Sequence, residues 1–149
     1  MDDKITAAAV EGRLMGFIRT HRATMRRYFH SIGMFNGHPH MLFHLRRRPG
    51  MTQKELAAAM DISPASVAVS VKRLEAAGLV RREKQGRESR LHLTAEGEAM
   101  DAACARGRDF MIAHVYNGLT DGELATLDKL LTKMTANLQN TCAAMEETT

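Results

Sequence analysis

Apolar residues recur along the first third of the chain at the spacing of an α-helix. After Leu14 they stand at Phe17, Ile18, Met25, Phe29 and Ile32, close to one residue every 3.6 positions. This pattern predicts a long first helix that ends near Gly33, before a loop containing Asn36 and Gly37. A short helix is predicted from Pro39, a residue favoured in the first turn, up to the Pro49-Gly50 turn signal.

Two short helices with clear start signals follow. Thr52-Gln53-Lys54-Glu55 has the spacing of a capping box, in which the hydroxyl and the carboxylate each serve an unpaired backbone amide. The helix that it opens extends through Met60. After the tight Asp61-Ile62 connection, Ser63 caps a second helix that has Pro64 at its first position and ends at Gly78.

The period changes after Gly78, where a small β-hairpin is predicted. Leu79-Val80 leads into polar residues, Gly86 marks a turn, and Arg90-Leu91-His92-Leu93 alternates polar and apolar residues. Thr94 caps the next helix, which ends near Gly118. Thr120 and Glu123 form a second capping box before a helix whose apolar stripe comprises Leu124, Leu127, Leu131, Met134, Leu138, Cys142 and Met145. A stripe of this length predicts a partner subunit, contacted through the chain ends.

Composition indicates one ordinary globular domain. The 149 residues are 44% hydrophobic and 26% charged, and no apolar stretch approaches the roughly 20 residues that a membrane span needs. The start of the chain lacks the layout of a secretion signal, so we expect a soluble, cytoplasmic protein without membrane contact. Two cysteines are too few for a disulfide scaffold. Both Cys104 and Cys142 fall on apolar stripes and are expected to be reduced core residues.

Charge is concentrated where the helix pair and the hairpin lie. Lys and Arg total 21 against 17 Asp and Glu, and five of the basic residues fall between Arg81 and Arg90. Arg46, Arg47 and Arg48 form another run. Such runs are usually solvated faces, but beside a nucleic-acid-binding motif they indicate a polyanionic partner.

Two capped helices followed by a basic hairpin predict a winged helix-turn-helix within a mainly α-helical fold. Val67, Val71 and Leu74 would face the core, leaving the opposite side of the second helix for the major groove. The hairpin arginines suit phosphate or the minor groove. The predicted DNA-binding residues are Thr52, Gln53, Ser63, Pro64, Ala65, Ser66, Ala68, Val69, Lys72, Arg73, Arg81, Lys84, Arg87 and Arg90.

Several blocks of the sequence closely resemble the MarR family of bacterial transcription regulators. They are Gly37-His38-Pro39, Met51-Thr52-Gln53-Lys54-Glu55-Leu56-Ala57, Ile62-Ser63-Pro64-Ala65-Ser66-Val67, Lys72-Arg73-Leu74-Glu75-Ala76-Ala77-Gly78-Leu79-Val80-Arg81 and Leu93-Thr94-Ala95-Glu96-Gly97. The chain departs from the family at two places. Gln85-Gly86-Arg87 stands where the wing usually has Asp-Arg-Arg, so only Arg87 carries over. Val69 stands where the family often has a polar or basic residue, which shifts base recognition toward methyl contacts and DNA shape.

The resemblance implies a homodimeric regulator that binds a palindromic operator, usually as a repressor released by a small ligand or an oxidant. It implies a single domain over residues 1–149, with dimerisation helices in 1–36 and 95–149 and the winged helix-turn-helix in 37–94. In this architecture an effector pocket lies between the dimer helices and the DNA-binding part. Its candidate lining residues are Phe17, His21, Met25 and Tyr28.

The sequence also bears on three other functions: a metal- or redox-responsive regulator, an enzyme and a helical adaptor. His38, His40 and His44 lie close in sequence, but zinc prefers a closed set of four ligands and this segment supplies only histidine, so no metal site or cofactor is predicted. A metal- or redox-responsive regulator of the same fold is kept as the alternative. The chain lacks a phosphate-binding loop, a nucleophile elbow and the His-Glu-x-x-His motif, so no enzyme is predicted. A helical adaptor would not need the capped helix pair and the basic hairpin together.

Overall fold

A computed structural model describes residues 5–34 and 39–146, and contacts divide the chain into two units, residues 1–110 and 111–149. Six helices and one hairpin are present in the described part. They are α1 (Ala7–Ser31), α2 (Pro39–Arg47), α3 (Gln53–Met60), α4 (Pro64–Ala76), β1 (Val80–Gln85), β2 (Glu88–Leu93), α5 (Ala95–Val115) and α6 (Asp121–Glu146). The predicted mainly α-helical fold with one hairpin is confirmed. The predicted loop residues Asn36 and Gly37, and His38, lie outside the described residues.

The core of the first unit lies between α2, α3, α4 and the hairpin. Its fully buried side chains come from every one of these elements and include Leu42, Leu45, Leu56, Val67, Val71 and Leu91. Val67 and Val71 are four residues apart and therefore share one face of α4. The inward face predicted from the sequence is thus the observed one, and it fixes which residues of α4 face outward.

Local capping signals determine where α3 and α4 begin. The Thr52 backbone N–H donates to Glu55 Oε2 (2.7 Å), and the Glu55 N–H donates to Thr52 Oγ1 (3.2 Å), completing the predicted capping box. Ser63 caps α4 by accepting the Ser66 N–H at 3.1 Å. Between the helices Asp61 adopts a left-handed conformation with φ 51°, a conformation that Asp tolerates better than most residues.

The hairpin is antiparallel and in continuous register from the Val80–Leu93 pair to the Gln85–Glu88 pair. Gly86, with φ 63°, supplies the positive φ required by tight hairpin turns. At the other end, the Leu91 N–H donates to the Met51 carbonyl at 2.9 Å and extends the pairing to the segment before α3. The hairpin is therefore attached by backbone hydrogen bonds to the start of the helix pair.

Helix α1 begins at Ala7, seven residues before the start of the apolar periodicity. Thr6 caps it by accepting the Ala9 N–H at 3.2 Å. Residues 7–9 are all alanine, which favours helix formation. Three alanines in a row show no apolar periodicity, so the sequence pattern did not predict that the helix begins there. The predicted end near Gly33 is confirmed, since the helix stops at Ser31 and Gly33 has φ 79°.

Helices α1 and α5 approach closely within the first unit. Tyr28 donates its phenolic hydrogen to the Ala103 carbonyl at 2.8 Å, and a Cβ placed on Gly107 would lie 2.1 Å from the Tyr28 ring. Only glycine leaves room for the ring at this point. Cys104, beside these residues on α5, is fully buried, as predicted.

The second unit contains the end of α5 and all of α6. Thr120 and Glu123 form the predicted capping box, in which the Thr120 N–H donates to Glu123 Oε2 at 2.8 Å. From Leu131 onward the apolar stripe of α6 is exposed on the single chain, with Leu138 64% accessible, whereas Leu124 and Leu127 are half-buried. Cys142 is also exposed, so the expectation that it is a core residue is wrong for the isolated chain. No helix among the described residues is both long and apolar enough to cross a membrane.

Candidate nucleic-acid interface

The outward face of α4 is a ridge formed by Ala65, Val69, Lys72 and Ala76, all exposed to solvent. These residues follow the spacing i, i+4, i+7 and i+11, which lines up one side of a helix. Val69 is 51% accessible and is not part of the apolar core. We call these four residues the α4 ridge. They share a face opposite the buried Val67 and Val71.

Ser66 and Arg73 border one side of the α4 ridge, and Ala68 borders the other. Ser66 and Arg73 are exposed, whereas Ala68 is half-buried. All of the residues of α4 that were predicted to contact DNA therefore lie on its outward half or at its N-terminus. Helix α4 is therefore a short helix whose opposite face is held by the core and whose outward face is accessible to solvent.

Five basic residues lie on the hairpin, and four of them, all except Arg82, were predicted to contact DNA. Arg81, Lys84 and Arg87 are exposed, and Arg87 occupies the turn beside Gly86. Arg81 makes one exposed ion pair, with Nη1 3.3 Å from Glu83 Oε2. Among the described residues Lys84 and Arg87 have no ion-pair partner, as also holds for Lys54, Lys72 and Arg73. Cations without an ion pair to a described residue are thus available on α4 and on the wing, as they also are on α1, α3, α5 and α6.

Arg90 is placed differently from the other predicted wing residues. Its Nη1 donates to the Gly50 carbonyl at 2.9 Å, and its Nη2 donates to Glu88 Oε2 at 2.7 Å. Both contacts are made within the protein, at the base of the wing. The structure therefore gives Arg90 the role of tying β2 to the loop before α3, and leaves little of its guanidinium for a phosphate.

Gln53 and Arg82 form a contact that links three elements. With its amide oriented by its hydrogen bonds, the Gln53 oxygen accepts from Arg82 Nη2 at 2.8 Å and from Nη1 at 3.3 Å. Arg82 Nε donates in turn to Glu75 Oε1 at 2.7 Å. One guanidinium on β1 thereby holds the start of α3 and the last turn of α4. Gln53, predicted to touch the DNA backbone, has its side-chain oxygen engaged by the protein.

Arg82 and Glu75 were not among the sequence-predicted functional residues. They lie on opposite sides of the turn at Gly78, and nothing in their spacing marks a contact. The only sequence feature that pointed to this contact was the helix-to-strand turn at Gly78, which brings the end of α4 next to β1. Spacing rules work within one element, whereas this contact depends on how two elements pack.

Thr52 has its hydroxyl fully used by the capping box. Thr52 Oγ1 accepts the Glu55 N–H and donates to Glu55 Oε2 at 3.1 Å. Hydrogen bonds from the Thr52 backbone and hydroxyl lower the pKa of the Glu55 carboxyl, so Glu55 stays ionised at neutral pH. Arg48 adds an ion pair to it, with Nη2 at 3.0 Å. The backbone N–H and the hydroxyl hydrogen of Thr52 are both bound to Glu55, so Thr52 can contact a partner only through its other atoms.

A polar groove of about 520 Å³ lies between the base of the wing and the Pro49-Gly50 turn. Its walls include Glu83, Lys84, Arg90 and His92, and His92 Nε2 lies 3.2 Å from Glu83 Oε2. Glu83 and His92 pair with each other, Arg90 binds the Gly50 carbonyl and Glu88, and Lys84 makes no ion pair with a described residue. The groove thus belongs to the same set of contacts that attach the wing to the helix pair.

The four candidate effector-pocket residues lie along one face of α1, at spacings of four, four and three residues. Phe17 is exposed and its ring centroid lies 5.9 Å from that of His21. Met25 is buried, and Tyr28 is bonded to α5. The two C-terminal members of the set are therefore occupied by packing within the first unit, and the two N-terminal members are the more accessible pair.

The metal and redox alternatives rest on residues that the structure locates separately. Among the residues placed in the structure, no three His, Cys, Asp or Glu side chains come close enough to hold a metal ion. Burial raises the pKa of the Cys104 thiol, and the nearby Asp101 carboxylate acts in the same direction. A buried thiol with a raised pKa is a poor nucleophile. Cys142 is exposed on α6, in the other unit.

Comparison with known proteins agrees with this geometry. The model of the MarR family matches residues 35–91, which span α2, α3, α4 and most of the hairpin. No curated protein matches the chain by sequence.

Solved structures match over most of the chain. The YusO protein from Bacillus subtilis is 21% identical, with a TM-score of 0.71, 89% of this chain covered and 99% of that one. A MarR family protein from Bacillus stearothermophilus is 22% identical, with a TM-score of 0.70 and coverages of 93% and 99%. A mutant of MepR from S. aureus, solved bound to an oligodeoxyribonucleotide, is 21% identical, with a TM-score of 0.59 and coverages of 90% and 99%. Residues 35–91 therefore resemble the MarR family in sequence, and the chain shares the fold of these solved structures over about nine-tenths of its length.

Proposed function

We propose that this protein is a sequence-specific regulator of transcription that binds double-stranded DNA. Helix α4 enters the major groove, and the wing contacts phosphates or the adjacent minor groove. One observation carries the proposal. The α4 ridge and the free cations of Lys84 and Arg87 belong to elements that the core and the Arg82 contacts hold together. An adaptor for acidic proteins would need the charge without the exposed ridge.

The DNA complex of the MepR mutant supports the proposal. That protein was solved bound to an oligodeoxyribonucleotide, and its fold matches 90% of this chain. At 21% identity the likeness concerns the fold. The chemistry of the partner rests on the basic residues and the helix ridge of this chain.

The proposed working form is a homodimer on a palindromic operator. Leu130, Leu131 and Leu138 are exposed along α6, and α1 exposes Val10 and Phe17. Exposed apolar surface arranged along whole helices favours association with a second copy. Two copies related by a twofold axis would place their α4 helices on half-sites about 10 bp apart, one turn of B-DNA.

The proposed regulatory mode is repression that a small ligand relieves. Phe17 and His21 are the accessible residues of the candidate pocket, and eleven methionines in the chain offer adaptable packing around a ligand. Regulation by a metal or an oxidant is the alternative, for which the exposed thiol of Cys142 is the one supporting observation. The protein is expected to act in the cytoplasm and to catalyse no reaction.

Selection of bound duplexes from a random DNA library tests the central proposal. We expect enrichment of a palindrome, bound in preference to random DNA by a factor of about 10³–10⁷. Affinity measured at two salt concentrations should fall with salt, since released counterions drive phosphate contacts. Weak binding without sequence preference, unchanged by zinc or by reductant, would contradict the proposal.

In vitro transcription from a promoter that carries the selected palindrome tests repression separately. Added protein should lower the yield of transcript, and an effector should restore it. An increased yield would identify an activator and leave DNA binding intact.

A further inference from the structure

The N-terminal half of α4 carries no side chain that can form two hydrogen bonds with one base. Residues 63–70 read Ser-Pro-Ala-Ser-Val-Ala-Val-Ser, with no Arg, Lys, Asn, Gln, Asp or Glu among them. In helix-turn-helix proteins this half of the second helix is the part that reaches the base edges. Its chemistry therefore limits which bases can be recognised.

The serine hydroxyls in this segment are largely engaged within the protein. Ser63 Oγ accepts the Ser66 N–H at 3.1 Å and lies 2.8 Å from Ser66 Oγ. Ser70 is buried. The groups left to face a partner are the methyl and methylene groups of Pro64, Ala65 and Val69, which are all exposed.

The major groove offers one apolar feature, the C5 methyl group of thymine. Guanine is usually read by Arg or Lys with two hydrogen bonds, and adenine by Asn or Gln, whereas Ala and other apolar side chains contact the thymine methyl. We propose that the exposed Ala65 and Val69 of the α4 ridge recognise thymine methyl groups, so that the centre of each half-site consists of A·T pairs. This inference rests on the proposed function and names the bases that it selects.

Lys72 marks the end of the surface that would contact thymine methyl groups. It lies on the α4 ridge three residues after Val69 and is the first residue of the ridge that can donate hydrogen bonds to guanine. A G·C pair is thus compatible with the base beneath Lys72, but not with those beneath Ala65 and Val69. The predicted half-site has thymine-containing pairs followed at one edge by a position that accepts guanine.

Uracil substitution tests the inference directly, because deoxyuridine pairs like thymidine but lacks the methyl group. Each thymine of the selected half-site is replaced singly by deoxyuridine, and affinity is measured by fluorescence anisotropy with the full-length protein. At one or two central positions we expect binding to weaken about fourfold, the equivalent of about 0.8 kcal/mol for one buried methyl group. Thymines outside the half-site serve as internal controls and should show no change.

Val69→Ala identifies the residue that makes the contact. Val69 is exposed and packs against nothing in the core, so the variant should fold normally. With Val69→Ala the preference for the thymine duplex over the uracil duplex should shrink at one position, since the two methyl groups of the valine are removed. Arg87→Ala is the matched control. It should weaken both duplexes and leave their ratio as it is in the unmodified protein.

Two results would overturn the inference, and they differ in what they mean for the proposed function. Methyl recognition would be refuted either by an affinity that uracil leaves unchanged at every position or by invariant guanines at the centre of each half-site. Neither finding would contradict the proposal that the protein is a DNA-binding regulator. Failure to select any sequence would remove the proposed function and, with it, this inference.

Discussion

Arg82 illustrates how a single side chain can determine the position of a DNA-contacting element. Its guanidinium binds Gln53 on α3 and Glu75 on α4, while its backbone belongs to β1. The charge is already engaged inside the protein. In the proposed complex with DNA, Arg82 would fix the wing relative to α4, whereas the cations without an ion pair would contact phosphates.

We expect Arg82→Ala to weaken binding to the selected operator about tenfold, the equivalent of one charge-assisted hydrogen bond. The slope of log affinity against log salt should stay the same, because no phosphate contact is lost. Arg81→Ala is the control, since Arg81 is exposed and its loss should reduce the slope. A reduced slope in Arg82→Ala would show that Arg82 contacts DNA itself.

The ion pair of Arg46 with Asp101 joins α2 to α5 and is strongly asymmetric. Asp101 is 1% exposed, with its Oδ2 2.5 Å from Arg46 Nε, and its Oδ1 is buried without a hydrogen-bond partner among the described residues. A buried carboxylate is stabilised only as long as its cation is present. The pair therefore tolerates loss of both members better than loss of the arginine alone.

We expect Arg46→Ala to lower the free energy of unfolding by about 3 kcal/mol, because it leaves a buried charge uncompensated. Adding Asp101→Asn to that variant should recover part of the loss. Arg47→Ala is the matched control, because Arg47 stacks on Phe43 at 5.6 Å without an ion pair and should change stability by less than about 1 kcal/mol. Urea denaturation measures all of these values, and a double variant less stable than Arg46→Ala would contradict this explanation.

At the scale of the elements, the sequence predicted contacts between residues close together along the chain and missed contacts between residues far apart in it. The boundaries of α3 and α4 follow from Thr52, Glu55 and Ser63, whose partners lie within three residues. The Arg82 contacts could not be read in the same way, because they depend on the packing of a strand against two helices. The early start of α1 was missed because alanine supports a helix without revealing its face.

The wing gives a prediction at the scale of the elements. Arg87 occupies the hairpin turn and has no ion-pair partner in the part of the chain that the structure describes. We expect Arg87→Ala to weaken binding to all sequences alike and to reduce the salt slope by about one. Arg13→Ala, which removes an exposed arginine from α1, should leave both quantities unchanged. Unchanged affinity of Arg87→Ala at two salt concentrations would remove the wing from the proposed interface.

The whole molecule is predicted to function only as a pair of chains. Leu131 and Leu138 lie on the exposed stripe of α6, and a surface of this kind is unfavourable in water unless it is covered. The stripe was visible in the sequence as helical periodicity. Its exposure, and that of Cys142, could be established only from the structure, because periodicity marks an apolar face without saying which chain covers it.

We expect Leu138→Glu to convert the protein to a monomer and to abolish tight operator binding, since a single winged helix contacts only one half-site. Helix content should be retained, because Leu138 makes little contact within its own chain. Lys129→Ala is the control, since Lys129 is about 200° around the helix from Leu131 and faces away from the stripe. Sedimentation analysis measures the mass. A monomeric unmodified protein that still binds the palindrome tightly would refute the dimer.

The separation of the α4 ridge from the core has a consequence for how such a regulator changes its target. Ala65, Val69 and Lys72 contribute side chains to the surface, while Val67 and Val71 on the opposite face hold the helix in place. If the ridge reads bases as proposed, a substitution on it should alter base preference at little cost in stability, because surface substitutions of this kind usually change stability by less than about 0.5 kcal/mol. Gene duplication followed by single replacements at these positions can therefore yield regulators of new genes without passing through unstable intermediates, and the same positions are open to deliberate redesign.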